Sequence, residues 1–154
     1  MKKPRLGESA PDFNLPDQNE TLFKLSEFEN KNILLSFHPL AWTSICAEQM
    51  KALEKSKSIF DSVDAIALGL SIDTVPSKKA WADHLKIKNL RLLSDFWPHG
   101  EIAALYGVFR EKDGFSERAN IIIDKKKKIL FFKVYPLGEL PDIQEVIRKL
   151  HNIS

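Results

Sequence analysis

Continuous apolar runs mark the predicted strands of this chain. Asn32–Phe37 and Ala65–Ser71 each have the pattern of a strand buried on both faces, because apolar residues do not alternate with polar ones. Leu90–Leu93 is a shorter run of the same kind. Arg118–Asp124 and Ile129–Tyr135 are β-rich runs separated by lysines, which indicates an antiparallel hairpin. The pattern therefore predicts three buried strands followed by a hairpin.

Segments with a helical period lie between and after these strands. From about residue 44 to residue 60, the apolar positions fall on one side of a helix and the lysines elsewhere. Residues 76–85 predict a second helix with proline near its first turn, and Glu101–Tyr106 predicts a short third one. The clearest amphipathic helix is the last, with apolar residues at i, i+3, i+4 and i+7: Ile143, Val146, Ile147 and Leu150.

The order of these elements predicts the fold class. The succession β-α-β-α-β-α-β-β-α is typical of an α/β layered fold in which helices flank a mixed central sheet. Ahead of it, turn-forming residues surround the short apolar pieces Phe13–Leu15 and Leu22–Leu25, which predict an N-terminal β extension. We find no internal repeat, low-complexity tract or Gly/Ser linker. We therefore expect residues 1–154 to form a single domain.

Composition and charge exclude several functional classes. The chain of 154 residues is 44% hydrophobic and 29% charged, as in ordinary globular proteins, and its net charge is only +2. The one basic run, Lys125–Lys128, has the pattern of a solvated hairpin turn, so we expect no nucleic-acid partner. No apolar run could span a bilayer, and no apolar signal segment follows the basic N-terminus. We expect a cytoplasmic protein without a membrane partner.

The chain has a single cysteine, Cys46, which directly follows a strand-to-helix connection. Packing alone could explain it, because an unpaired cysteine behaves as a small hydrophobe. Its position favours chemistry, since ligands of α/β folds lie beyond the carboxyl ends of the parallel strands. If Thr43 or Ser44 caps the helix, the sulfur lies at the first turn. Free N–H groups and the positive end of the helix dipole favour a thiolate there.

The residues around this thiol leave several interpretations open. Thr43 offers a hydroxyl that can donate and accept, and Pro39 would wall a pocket without a competing N–H. An arginine beside the sulfur would favour the thiolate, and Arg118 is the best candidate. The simpler interpretation is that Arg118 stands at the end of its strand and is directed to solvent. His38 invites a Cys–His nucleophile, but no cysteine-protease signature is present, so we assign His38 and His99 structural or surface roles. No residue cluster has metal-ligand spacing, so we expect no metal.

Four stretches of the sequence resemble one known family. Pro39, Thr43 and Cys46 stand in PLAWTSIC, which matches the Pro-x-x-x-Thr-x-x-Cys motif of the peroxiredoxins. GESAPDFNLPDQN resembles the opening segment of that family. RANIIIDKKKKI is similar to the strand that carries its second-site arginine, which falls on Arg118. LLSDFWPHGEIAALYGVF is very similar to the one-cysteine AhpE-type subgroup of the alkyl hydroperoxide reductase/thiol-specific antioxidant family.

The resemblance implies a thioredoxin-like fold and peroxidase activity towards hydrogen peroxide and organic hydroperoxides. Cys46 would be the peroxidatic nucleophile and would become a sulfenic acid as water or an alcohol leaves. The Thr43 hydroxyl and the Cys46 backbone N–H would hold the peroxide oxygens. Arg118 would stabilise the thiolate and the charge on the leaving oxygen, and Pro39 would shield the pocket.

Two departures from the family pattern matter. Many members carry Glu three residues after the peroxidatic cysteine, but here that position is Gln49 and the acid is Glu48, which leaves open how Arg118 is held. No second cysteine exists to resolve a sulfenic acid. We therefore expect no cofactor but an external reductant: a low-molecular-weight thiol, a glutaredoxin-like protein or thioredoxin. Without it, excess peroxide would produce sulfinic acid.

Oligomeric state and alternative functions are also expectations at this point. Family members commonly dimerise through loops near the active site, and Phe96, Trp97 and Pro98 form a predicted apolar loop, so we expect a homodimer.

A non-catalytic redox sensor, switched by oxidation of Cys46, would use the same thiol chemistry. A thioredoxin-like oxidoreductase for protein disulfides is disfavoured because the chain has no Cys-x-x-Cys pair.

Overall fold

The computed structural model describes residues 3–153. Its strands are β1 (Asn14–Pro16), β2 (Leu22–Lys24), β3 (Asn32–Phe37), β4 (Ala65–Ser71), β5 (Arg91–Ser94), β6 (Phe109–Arg110), β7 (Phe115–Ser116), β8 (Arg118–Ile123) and β9 (Ile129–Tyr135). Its α-helices are α1 (Ser44–Lys55), α2 (Lys57–Ser62), α3 (Val75–Leu85), α4 (Glu101–Leu105) and α5 (Ile143–Ile153). The expectation of one domain over 1–154 includes residues 1, 2 and 154, which lie outside this description.

A five-stranded mixed sheet in the order β5-β4-β3-β8-β9 forms the centre. β3, β4 and β5 are parallel, whereas β8 and β9 pair antiparallel to their neighbours. β1 and β2 form the separate N-terminal hairpin. The prediction of a thioredoxin-like α/β fold with a mixed sheet and an N-terminal β extension is confirmed. The short hairpin β6–β7 was not predicted, because strands of two residues leave no periodic pattern.

The core has two layers because both faces of the sheet are covered. On one face, alternate residues of β3 (Ile33, Leu35 and Phe37) pack against the N-terminal hairpin and α4. On the other face, Leu34 packs against α1, α3 and α5. A strand buried on both faces needs apolar residues at nearly every position, which explains the continuous apolar runs.

One local prediction needs correction. The helix predicted over residues 44–60 is two helices, because α1 ends at Lys55 and the N–H of the next residue, Ser56, bonds back to the carbonyls of Ala52 and Leu53. The apolar stripe continues across this break, so periodicity does not reveal it. The lysines at 125–128 form the predicted hairpin turn, and all but Lys127 are exposed; three of their ammonium groups also bind Asp64, Ser9 and the Phe28 carbonyl. Between residues 3 and 153, no helix combines the length and apolarity needed to cross a bilayer.

Gly69 of β4 provides a test of the helix-facing layer. A Cβ there would lie 2.6 Å from Met50 Sδ and 2.9 Å from Leu92 Cδ2, both fully buried. We predict that Gly69→Ala lowers the free energy of unfolding by about 1–3 kcal/mol through overpacking, measured by urea denaturation. In Gly138→Ala, the control, the added methyl meets nothing within 4 Å. Equal stability of Gly69→Ala and wild type would contradict the packing described.

Candidate active site

The chain turns sharply between β3 and α1, and this turn carries the cysteine. Trp42 adopts a left-handed backbone (φ 69°), and the extended Thr43 then precedes the first residue of α1. Cys46 therefore lies in the first helical turn, as predicted, with no exposed surface. The Thr43 side chain does not cap the helix: its hydroxyl donates to the Leu40 carbonyl at 2.8 Å. The Thr43 oxygen consequently remains able to accept a hydrogen bond.

The four predicted site residues line one pocket of about 280 Å³, which we call the thiol pocket. Pro39 is a buried wall, whereas Thr43 is exposed at the rim. The full lining consists of Pro39, Leu40, Thr43, Ser44, Ile45, Cys46, Phe115, Arg118 and Leu137. The pocket is thus an apolar cavity in which the polar groups of Cys46, Thr43 and Arg118 converge, as in sites for small ligands.

Arg118 lies against the sulfur, so the interpretation of a solvent-directed arginine is wrong. Its side chain enters from the start of β8, and the residue is 4% exposed. Nη1 donates to Cys46 Sγ at 3.2 Å and to Gln49 Oε1 at 2.8 Å. Nε and Nη2 both donate to the Leu137 carbonyl, at 3.1 and 2.7 Å. The guanidinium is therefore held in one orientation, with its positive charge beside the thiol.

Gln49 explains how Arg118 is held without the glutamate expected from the family. Its amide oxygen accepts from Arg118, while its amide nitrogen donates to Ser36 Oγ at 2.7 Å and to the Phe37 carbonyl at 3.2 Å. Ser36 in turn donates to Asn120. Among the hydrogen bonds and ion pairs of residues 3–153, no carboxylate contacts Arg118. A neutral partner leaves the arginine charge available to the sulfur. Sequence reasoning singled out position 49 but not this contact.

Neither histidine considered from sequence binds the cysteine. His38 is fully buried, and its Nε2 lies 3.4 Å from Nζ of Lys78, so a Cys–His nucleophile is not assembled. Burial, together with the Lys78 charge, holds the pKa of His38 well below its usual value. His99 is exposed and contacts the Gly114 carbonyl. Sequence reasoning missed Lys78, although a lysine three residues before the buried Trp81 interrupts the apolar face of α3.

Other parts of the described chain carry no comparable chemistry. Residues 3–153 contain no group of three or more His, Cys, Asp or Glu side chains arranged to hold a metal ion. A second cavity of about 290 Å³ lies at the amino ends of the parallel strands, lined by residues such as Phe28, Lys31 and Leu90. It shares no lining residue with the thiol pocket. The thiol and its arginine therefore lie at the carboxyl ends of the strands, away from this cavity.

Fold and site together define a thioredoxin-like protein with one buried thiol in contact with an arginine. Residues 6–132 match the AhpC/TSA family, and the chain belongs to this family. It is 39% identical over 138 residues to alkyl hydroperoxide reductase E of Mycobacterium tuberculosis, covering 89% of this chain and 90% of the relative. Together with the single cysteine, this confirms the resemblance to the one-cysteine AhpE-type subgroup.

Solved structures are similar over nearly the whole chain. The reduced 2-Cys peroxiredoxin of Plasmodium vivax has a TM-score of 0.86 at 27% identity, covering 96% of this chain and 81% of that one. Peroxidoxin BcpB from Mycobacterium tuberculosis has a TM-score of 0.84 at 26% identity, covering 97% of both chains. The protein is accordingly a peroxidase of the peroxiredoxin type.

We predict that Gln49→Met, which keeps the side-chain size but removes the amide, lowers the free energy of unfolding by about 1–3 kcal/mol. The buried Ser36 hydroxyl and the Arg118 guanidinium would each lose a partner. Urea denaturation measures the loss, and reaction with peroxide should slow because Arg118 is released. The control is Glu48→Met, one residue away on the exposed face of α1. Unchanged stability and rate in Gln49→Met would show that Leu137 alone holds Arg118.

Proposed function

We propose that this protein reduces hydrogen peroxide and organic hydroperoxides, with Cys46 as the peroxidatic nucleophile. The observation that carries the proposal is the contact of Arg118 Nη1 with Cys46 Sγ at 3.2 Å, inside a pocket walled by Pro39. A buried thiol without a cation would resist ionisation, whereas an adjacent guanidinium favours the thiolate, which is the reactive species.

The arrangement supports a direct displacement on the peroxide. The Cys46 thiolate attacks the outer oxygen of R–O–O–H, so that an S–O bond forms as the O–O bond breaks. The products are Cys46–S–OH and an RO⁻ oxygen, which takes a proton to leave as an alcohol or as water. The N–H groups of Arg118 stabilise the charge that moves from sulfur to the leaving oxygen. Thr43 Oγ accepts from the peroxide hydroxyl, and the unpaired N–H of Cys46 donates to a peroxide oxygen.

Return to the thiol requires a reductant from outside the chain. Cys46 is the only cysteine in the sequence, so its sulfenic acid has no internal partner. We propose that an external thiol, from a low-molecular-weight compound, a glutaredoxin-like protein or thioredoxin, attacks the sulfenic acid and that no bound cofactor takes part. The open thiol pocket is the route to the sulfur.

We also propose the cytoplasm as the location, because a reducing compartment keeps such a thiol reduced.

The decisive experiment mixes reduced protein rapidly with stoichiometric peroxide and follows tryptophan fluorescence, with thiol titration in parallel. We predict a fast second-order phase that is absent in Cys46→Ser. In Arg118→Met it should be slower by about 100-fold, because a preorganised charged donor is lost. The matched control is Arg110→Met, whose guanidinium pairs with Asp113 and Glu117. Wild-type oxidation no faster than that of a free thiol would refute the peroxidase proposal and favour the redox sensor.

A second proposal concerns assembly. The loop after β5 exposes two neighbouring aromatic side chains, Phe96 at 46% and Trp97 at 78%. Aromatic side chains are enriched at protein–protein interfaces, so we propose a homodimer formed through this loop.

Light scattering at micromolar concentration tests this assembly. We predict a dimer for the wild type and a monomer for Trp97→Lys, because burying a lysine charge at the contact is unfavourable. Leu22→Lys is the control, since Leu22 is an apolar residue on the N-terminal hairpin that is also largely exposed, at 63%. A monomeric wild type would exclude the dimer.

A further inference from the structure

A second buried cation lies behind the thiol pocket and has no part in the mechanism above. Lys78 of α3 is fully buried, and within residues 3–153 the hydrogen-bond partner of its Nζ is His38 Nε2, at 3.4 Å. An ammonium group has three N–H donors, so this lysine is poorly satisfied. His38 Nδ1 is likewise buried without a partner in the described part of the chain. We call Lys78 and His38 the buried pair.

The buried pair is linked to the cysteine from two directions. His38 directly precedes Pro39, which walls the thiol pocket, and its backbone is fixed by the carbonyl of Leu70. Its ring approaches the space above Gly69 beside Met50, where a Cβ would lie 3.4 Å from His38 Cε1. Met50 stands one turn after Cys46 on the same face of α1. The pair therefore lies on the core side of the helix whose first turn holds the sulfur.

Stability does not account for Lys78. Burial lowers its pKa from 10.5 to about 7, although the charges of Asp73, Cys46 and Asp95 oppose the shift. The unfolded chain keeps this proton up to about pH 10.5, whereas the folded chain releases it above about pH 7. Burying the lysine is therefore unfavourable, fully so below pH 7 and progressively less as the pH rises towards 10.5. An apolar side chain in this position would be more favourable.

We propose that Lys78, held by His38, is a positioning residue of the peroxidase: its ammonium group adds a positive charge behind Cys46, besides that of Arg118, and favours the reactive thiolate. This inference rests on the proposed function. The charged and titratable groups that face the buried pair come from four other elements: Asp73 after β4, Asp95 after β5, Cys46 of α1 and Arg118 of β8.

The two carboxylates do not neutralise Lys78 by direct contact, because their hydrogen bonds go to other groups. Asp73 accepts from the N–H of Ala41 and from the Ser71 hydroxyl. Asp95 accepts from the N–H groups of Ile102 and Ala103 at the start of α4. Their charges interact with Lys78, but neither carboxylate is hydrogen-bonded to it. The negative charge of the Cys46 thiolate is thus one that the Lys78 ammonium group can stabilise.

The pair can change charge without repacking. When Lys78 is protonated it donates to Nε2 of His38, whose proton is then on Nδ1. When Lys78 is neutral, the other tautomer of His38 donates from Nε2 to the amine. The positive charge is present below about pH 7 and is lost above it. Its support for the thiolate is therefore strongest at acidic to neutral pH.

The test is the pH profile of Cys46 alkylation by iodoacetamide, measured alongside the pH profile of the peroxide reaction. In Lys78→Met we expect half-maximal reactivity about one pH unit higher than in wild type, and alkylation about tenfold slower below the midpoint. Lys79→Met is the matched control, because Lys79 is the exposed neighbour on α3 and pairs with Asp83. Superimposable profiles of wild type and folded Lys78→Met would overturn the proposal.

Lys78→Gln separates charge from hydrogen bonding and replaces Lys78→Met if that variant does not fold. Glutamine keeps a hydrogen bond to His38 without the charge, so the proposal requires the same shift. A wild-type profile in Lys78→Gln would mean that Lys78 acts only through packing. Alkylation does not depend on peroxide, so a wild type that reacts slowly with peroxide but shows the Lys78-dependent profile refutes the peroxidase alone.

Discussion

The hydrogen bond from Arg118 to the sulfur of Cys46 is the contact on which the site depends. It joins residues 72 positions apart, and the sheet register makes it possible. Phe37 pairs with Ala119, so Arg118 lies level with the end of β3, where the chain turns into α1. A shift of one residue would direct the arginine to the other face of the sheet. The apolar residues that set the register therefore also set the chemistry.

The amide of Gln49 extends this contact into the core. It links the arginine to Ser36 and Asn120 on β3 and β8, and Asn120 donates to the hydroxyl of Tyr135 on β9. Each polar side chain of this network, from Arg118 through Gln49 and Ser36 to Asn120, has a hydrogen-bond partner, so the network keeps one arrangement. Because glutamine is neutral, it orients the guanidinium without cancelling its charge. A carboxylate in the same place would share that charge with the sulfur.

The site places two buried cations, Arg118 and Lys78, in a core that is mostly apolar. Arg118 offsets its burial through four hydrogen-bond contacts, whereas Lys78 has one weak contact with His38. Such imbalance is expected where function, not folding stability, determines the residue. Lys78 is buried on α3 together with Trp81 and Ala82, which belong to the apolar layer between the helices and the sheet.

The amino-acid sequence by itself determined the strands of the central sheet and of the N-terminal hairpin, most helices and the position of Cys46 at the start of α1, because these follow from local periodicity and turn chemistry. The resemblance pointed to Arg118, and the tertiary structure placed it against the sulfur; only that structure showed what Gln49 binds and that Lys78 is buried beside His38. Each of these contacts joins residues far apart in the chain, and pairing between distant elements leaves no trace in a local pattern. The break at Ser56 was missed for a different reason, since the apolar stripe passes through it unchanged.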